Sequence, residues 1–102
     1  MSSSTVLENI QFIDSLWLRA YGLNRENVLD YFALSPFYDP KSNNEALRTQ
    51  GAGPEHLQNM IGLEFVLEAS CNHEPVLFVV KKQMRSSPRV AEVLDVYYVS
   101  AA

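Results

Sequence analysis

Cysteine is nearly missing from this sequence: Cys71 stands alone among 102 residues. An internal disulfide is therefore excluded, and a reducing compartment, cytosol or nucleus, is expected. Long apolar runs are missing too. The longest, Val76-Leu77-Phe78-Val79-Val80, has the length of a strand and falls far short of the ~20 residues that span a bilayer. Met1-Ser2-Ser3-Ser4-Thr5 has neither the basic region nor the apolar core of a secretory leader. Positive charge is scarce: 8 Lys and Arg against 12 Asp and Glu leave a net charge of −4. That balance counts against sequence-specific binding of nucleic acid, which needs a clustered basic face to neutralise phosphates.

Metal and phosphate chemistry fare no better. Cys71, His73 and the distant His56 fall short of the four ligands of a structural zinc site. Gly51-Ala52-Gly53 lacks the Gly-Lys-Ser/Thr ending of a phosphate-binding loop. No metal and no cofactor are expected.

What remains is ordinary globular material. Hydrophobic residues make up 47% and charged residues 20%, enough for one domain with one core at this length. Residues 1–8 are small and polar and are expected to be flexible; residues 9–102 are expected to form the domain. Residues 10–17 carry apolar side chains on both alternations, which predicts a first strand. Asn24 is a candidate N-cap for a helix to about residue 34, closed by Pro36. Ser42 or Asn43 caps a second helix through Gln50, and Pro54 opens a third through Met60 with Leu57, Met60 and Ile61 inward. After Gly62 the period becomes two, predicting strands over residues 63–70, 76–83 and 90–99. Leu63, Phe65 and Leu67 face the core, while Glu64 and Glu68 face water. The fold class is α+β: an antiparallel sheet built from a strand, helices and a three-stranded meander, roll-like, with the helices packed on one face.

Catalytic pairs are available only on paper. Asp30 with Asp39, or Glu64 with Glu68, would have to leave the ordinary carboxylate range to do proton chemistry, and a wet strand face does not provide that. Half of the 8 basic residues fall within residues 81–89, which reads first as a solvated hairpin tip, then as a contact for an acidic protein surface and last as one for nucleic-acid phosphates, and Ser86 and Ser87 precede Pro88 there. The distinctive stretch is Phe37-Tyr38-Asp39-Pro40-Lys41-Ser42-Asn43-Asn44-Glu45. Two aromatics followed by capping polar side chains suit an ordered docking loop better than an active site.

These pieces occur in a particular order: Asp14-Ser15-x-Trp17, Val28-Leu29-Asp30-Tyr31-Phe32, Pro36-Phe37-Tyr38-Asp39, Asn43-Asn44-Glu45 and Glu55-His56-Leu57. Met60-x-Gly62-x-Glu64, Glu74-Pro75-x-Leu77-Phe78, Lys82-Gln83-x-Arg85-x-Ser87-Pro88 and Asp95-x-Tyr97-Tyr98 follow. The ordered set resembles the family of subunit 6 of the Mediator complex, a head-module component. The resemblance implies a nuclear, non-enzymatic coactivator subunit that helps bridge transcription regulators to RNA polymerase II. It implies other head-module subunits as partners, the polymerase machinery through the complex, and no membrane. Within the matched motifs, Phe37, Tyr38, Asp39, Asn43, Asn44, Glu45 and Arg85 are the expected protein-binding residues. Family members continue beyond the Tyr-Tyr strand, so a chain stopping at Ser100-Ala101-Ala102 is expected to be truncated at its C-terminal end, leaving a sheet edge open. The competing reading is a free-standing α+β roll that binds a small ligand or acts as an enzyme. It wants a buried acid–base pair or a histidine in the central strand.

Overall fold

Local sequence signals place the helices. The structure, a computed structural model, describes residues 12–71 and 77–100. Asp14 accepts a hydrogen bond from Trp17 N–H at 3.0 Å and so caps helix α1, Ser15–Tyr21. The strand expected over residues 10–17 is thus not formed in its described part. Asp14 and Ser15, which sit awkwardly in a strand, are a helix start, and Leu, Arg and Ala then favour the helix. Asn24 accepts from the backbone of Glu26 and Asn27, each at 2.9 Å, and builds the turn that leads into α2, Val28–Phe32. α2 is shorter than the predicted helix at both ends: residues 25–27 are a turn with Asn27 in the N-cap place, and the Ser35 hydroxyl donates to the Phe32 carbonyl at 2.7 Å just before Pro36. Ser42 caps α3, Asn43–Gln50, and Gly51 closes it at φ 70°, the left-handed conformation that glycine adopts without strain. Pro54 opens a 3-10 helix, Pro54–Asn59. Leu57 points inward from it, but Ile61, expected inside, is 71% exposed.

The meander is as the alternation predicts: β1 Gly62–Cys71, β2 Leu77–Ser87 and β3 Val90–Ser100 form an antiparallel sheet in the order β1-β2-β3. The turn expected between β1 and β2, with His73, lies outside the described residues. Phe32, Phe65 and Val80 make the core, and Leu29, Phe37, Tyr38, Tyr97 and Val99 pack around it. The helices therefore cover one face of the sheet. Phe32 links the two layers, its ring 5.2 Å from Phe65 and 5.1 Å from Tyr97. Helix α1 stands outside this core with no buried residue. It is docked by Trp17 against Tyr31 at 5.0 Å, and Tyr31 Oη accepts from Asp14 N–H at 2.9 Å.

Side chains alternate across a strand, so Val96 and Tyr98 point away from the face that carries Tyr97. They are 43% and 72% exposed, and Val93 and Leu94 beside them are each 46% exposed. Among the described residues no strand pairs with the outer edge of β3.

Candidate functional site

The seven expected binding residues fall into two clusters, and most of their polar groups are turned to partners inside the fold. The first cluster begins with Phe37 and Tyr38, which extended chain after Pro36 lays over the sheet. Phe37 lies 5.4 Å from Tyr97, and Tyr38 stacks on Phe65 at 5.4 Å. Both rings are half-buried and pack against the core. Burial pushes the Tyr38 phenol above its ordinary range, and its hydroxyl donates to Glu45 Oε1 at 3.0 Å. Glu45 is also gripped by Arg48 at 2.9 and 2.6 Å, and that guanidinium, followed by the Tyr38 hydroxyl, holds its carboxyl below the usual carboxylate range. Asp39 Oδ1 accepts from Lys41 N–H at 2.8 Å, fixing the turn before Ser42.

The two asparagines reach the other way. Asn43 Nδ2 donates to the carbonyls of Met60 and Ile61 at 3.3 and 3.2 Å. Its amide also lies 3.2 Å from where a Cβ on Gly62 would stand, at φ 130°, so only glycine fits that approach. Asn44 accepts from Phe65 N–H and donates to the Phe65 carbonyl, both at 2.7 Å. Among the described residues β1 is an edge strand, and an edge leaves backbone groups without a partner. Asn44 supplies at Phe65 the donor and the acceptor that a further strand would have brought. The segment selected for its recognition chemistry is thus a clamp that fixes helix α3 to the sheet.

Arg85 belongs to the second cluster, and here the sequence reading fails most clearly. Glu64, expected on a wet face, is 0% exposed. Its carboxylate accepts from Gln83 Nε2 at 2.6 Å and from Arg85 Nε and Nη2 at 3.1 and 2.9 Å. The Arg85 side chain is only 13% exposed, and the Glu64 carboxylate raises its already high pKa further. Its third nitrogen donates to the carbonyls of Ser87 and Pro88 at 3.2 and 3.0 Å. One guanidinium therefore neutralises a buried charge and ties down the β2–β3 turn. Glu64 and Gln83 were missed, although hairpin register could have found them: Glu64 stands opposite Gln83, and Gly62 opposite Arg85. Glu68, by contrast, is half-exposed and pairs with Lys81 at 2.7 Å.

Both clusters are closed sets of hydrogen bonds: Glu64 is held by the Gln83 amide and two nitrogens of Arg85, and Glu45 by the Tyr38 hydroxyl and Arg48. A cleft of about 470 Å³ is lined by Arg25, Leu29, Leu57, Gln58, Val66 and Arg85, among others, and Glu55 is the only carboxylate among its described lining residues. Among the described residues no three His, Cys, Asp or Glu side chains come together as a metal site. His56 is exposed beside Glu55.

A family model described as "MED6 mediator sub complex component" matches residues 10–102. The chain is 47% identical over 79 residues to Mediator of RNA polymerase II transcription subunit 6 of Drosophila melanogaster, covering 76% of this chain and 31% of that protein. Its counterpart in Yarrowia lipolytica is 41% identical over 107 residues, with 91% of this chain and 46% of that protein covered. The chain thus spans less than half the length of these relatives. Among solved structures it is similar to the Schizosaccharomyces pombe Mediator subunit Med6, with a TM-score of 0.80 at 37% identity over 93% of this chain and 72% of that one. A chain in the structure of the Schizosaccharomyces pombe Mediator head module gives a TM-score of 0.78 at 37% identity over 91% of this chain and 64% of that one. By the match of its sequence and by its backbone, this chain belongs to the Mediator subunit 6 family.

Proposed function

We propose that this chain is the α+β portion of a non-enzymatic Mediator subunit, located in the nucleus. In this reading it contributes protein–protein contacts within the head module and, through the assembly, helps bridge transcription regulators to RNA polymerase II. The observation that carries the reading is the joint match of sequence and backbone to a chain solved within a Mediator head module. The two polar clusters fit such a role. They spend their hydrogen-bonding capacity on holding a surface in one shape, which lowers the ordering cost of docking.

Phe37, Tyr38, Asp39, Asn43, Asn44, Glu45 and Arg85 then act mainly as the frame of the binding surface. Direct anchoring falls to the apolar ridge on the opposite sheet face, Val93, Leu94, Val96 and Tyr98, since exposed apolar groups gathered on one face mark interaction surfaces. Capture of purified, co-expressed head-module subunits by the tagged chain tests this. A Val96→Lys, Tyr98→Lys pair should weaken capture about tenfold or more, equivalent to ~1.4 kcal/mol, with an unchanged melting temperature. Undiminished capture by that variant would remove the ridge from the interface. Failure of the unaltered chain to capture any head subunit would sink the reading that this portion makes head-module contacts by itself, and failure of a chain extended at its C-terminal end as well would sink the Mediator reading.

A further inference from the structure

The sequence places Ser87 directly before Pro88, and the structure puts this dipeptide at an unusual junction. β2 ends at Ser87, which is paired with Val90, so Pro88 and Arg89 alone form the hairpin tip. The register slips between Arg85 and Ser87, which makes Ser86 a bulge. A bulge turns neighbouring side chains away from simple alternation. Here Arg85 folds over the tip and donates to the Ser87 and Pro88 carbonyls while it holds the buried Glu64. Ser87 Oγ has one weak backbone partner, the Arg89 N–H at 3.3 Å. The hydroxyl is only half-buried and stands in a solvent-facing turn between two arginines of the chain.

We propose that Ser87 is a phosphorylation site for a proline-directed protein kinase using ATP, and that its phosphate draws Arg85 away from Glu64. In the transfer, the Ser87 O–H bond and the bond from the γ-phosphorus to its bridging oxygen break as the new O–P bond forms. ADP leaves, and the hydroxyl proton goes to the kinase's base. The product carries about −1.5 to −2 charges and three strong acceptor oxygens. The Arg85 guanidinium, which already touches the Ser87 carbonyl, is a strong donor beside them. Glu64, 0% exposed, would keep only Gln83. A buried carboxylate that loses its counter-ion destabilises the fold. Phosphate at an exposed tip would in this way be read out inside the sheet.

The test incubates the 102-residue chain with ATP and a purified mitogen-activated protein kinase, with a peptide of residues 83–93 as control and Ser87→Ala as blank. Mass spectrometry should place one phosphate on Ser87 of the folded chain. Labelling of the peptide alone, or of neither, overturns the site. The phosphorylated chain should melt about 4–8 °C lower, the shift that ~1 kcal/mol gives a domain of this size. In a Glu64→Gln background, where no buried charge competes, most of that fall should vanish. An unchanged melting temperature on phosphorylation, or an equal fall in both backgrounds, overturns the coupling. Should Glu64→Gln not fold, ³¹P titration of the phosphorylated Arg89→Gln chain decides. Pairing with Arg85 should hold the second phosphate pKa below its usual ~6, and an unshifted value refutes the pairing.

Discussion

Asn44 and Phe65 meet at two points: the asparagine amide both accepts from and donates to the Phe65 backbone, each bond 2.7 Å long. A single side chain thereby serves both backbone groups of Phe65 on β1. Asn44→Ala should leave that N–H and C=O without a protein partner, destabilising by about 1–3 kcal/mol. Asn44→Asp should be at least as harmful, because it keeps the acceptor but sets a carboxylate against the Phe65 carbonyl. Urea unfolding of the two variants measures both. An aspartate variant as stable as the parent would show that water already serves these groups.

Arg85 and Glu64 predict an unequal pair of substitutions. Arg85→Ala strands a carboxylate that is 0% exposed and should cost ~3–5 kcal/mol. Glu64→Gln removes the charge but keeps an acceptor for Gln83 and Arg85, so its effect should be smaller. Thermal melts of both variants settle the ranking; a milder Arg85→Ala would mean that the carboxylate finds water.

Phe37 and Tyr38 pack on the core, so Phe37→Ala with Tyr38→Ala should lower the melting temperature before any binding is lost. Phe65→Ala, at the centre of the aromatic cluster, should cost ~3–5 kcal/mol on its own. Circular dichroism follows both. A double variant that melts like the parent would return these rings to the surface.

Stability should fall at both ends of the pH scale for identifiable reasons. Arg48 and then Tyr38 depress Glu45, so its contribution is present above the ordinary value of 4.5 and is lost as pH drops through the folded value. Burial raises Tyr38 and Tyr97 above 10.0, the latter with help from the Asp95 charge; their contributions are full below that pH and vanish as pH rises through the folded values. Replacing Glu45 with Gln should flatten the acid limb of a stability–pH curve, and Tyr38→Phe with Tyr97→Phe the alkaline one. Unaltered limbs would refute these assignments.

The meander was legible because alternation and register are local properties: the switch of period at Gly62 locates β1, and β2 and β3 follow. The first helix was not, since residues 10–17 are apolar on every side and period alone does not separate helix from strand there. Asp14 three places before Trp17 was the available signal. The asparagine segment stood out as a docking loop, but the direction of its side chains was not legible. Whether Asn44 faces a partner or the chain's own backbone depends on how α3 docks beside β1, 21 residues away. Glu64 was misread because a burial pattern of period two assumes that a sheet face is wholly wet or wholly dry. An arginine two residues past Gln83 is enough to roof one carboxylate.

The two borders of the sheet are unlike. β1 is stoppered at Phe65 by an asparagine, while β3 presents bare backbone along its outer side among the described residues. A strand joining β1 would have to displace the Asn44 amide at Phe65 before it could pair there, whereas the outer side of β3 needs no such exchange among the described residues. One amide on helix α3 thus makes the two borders unequal acceptors of a further strand.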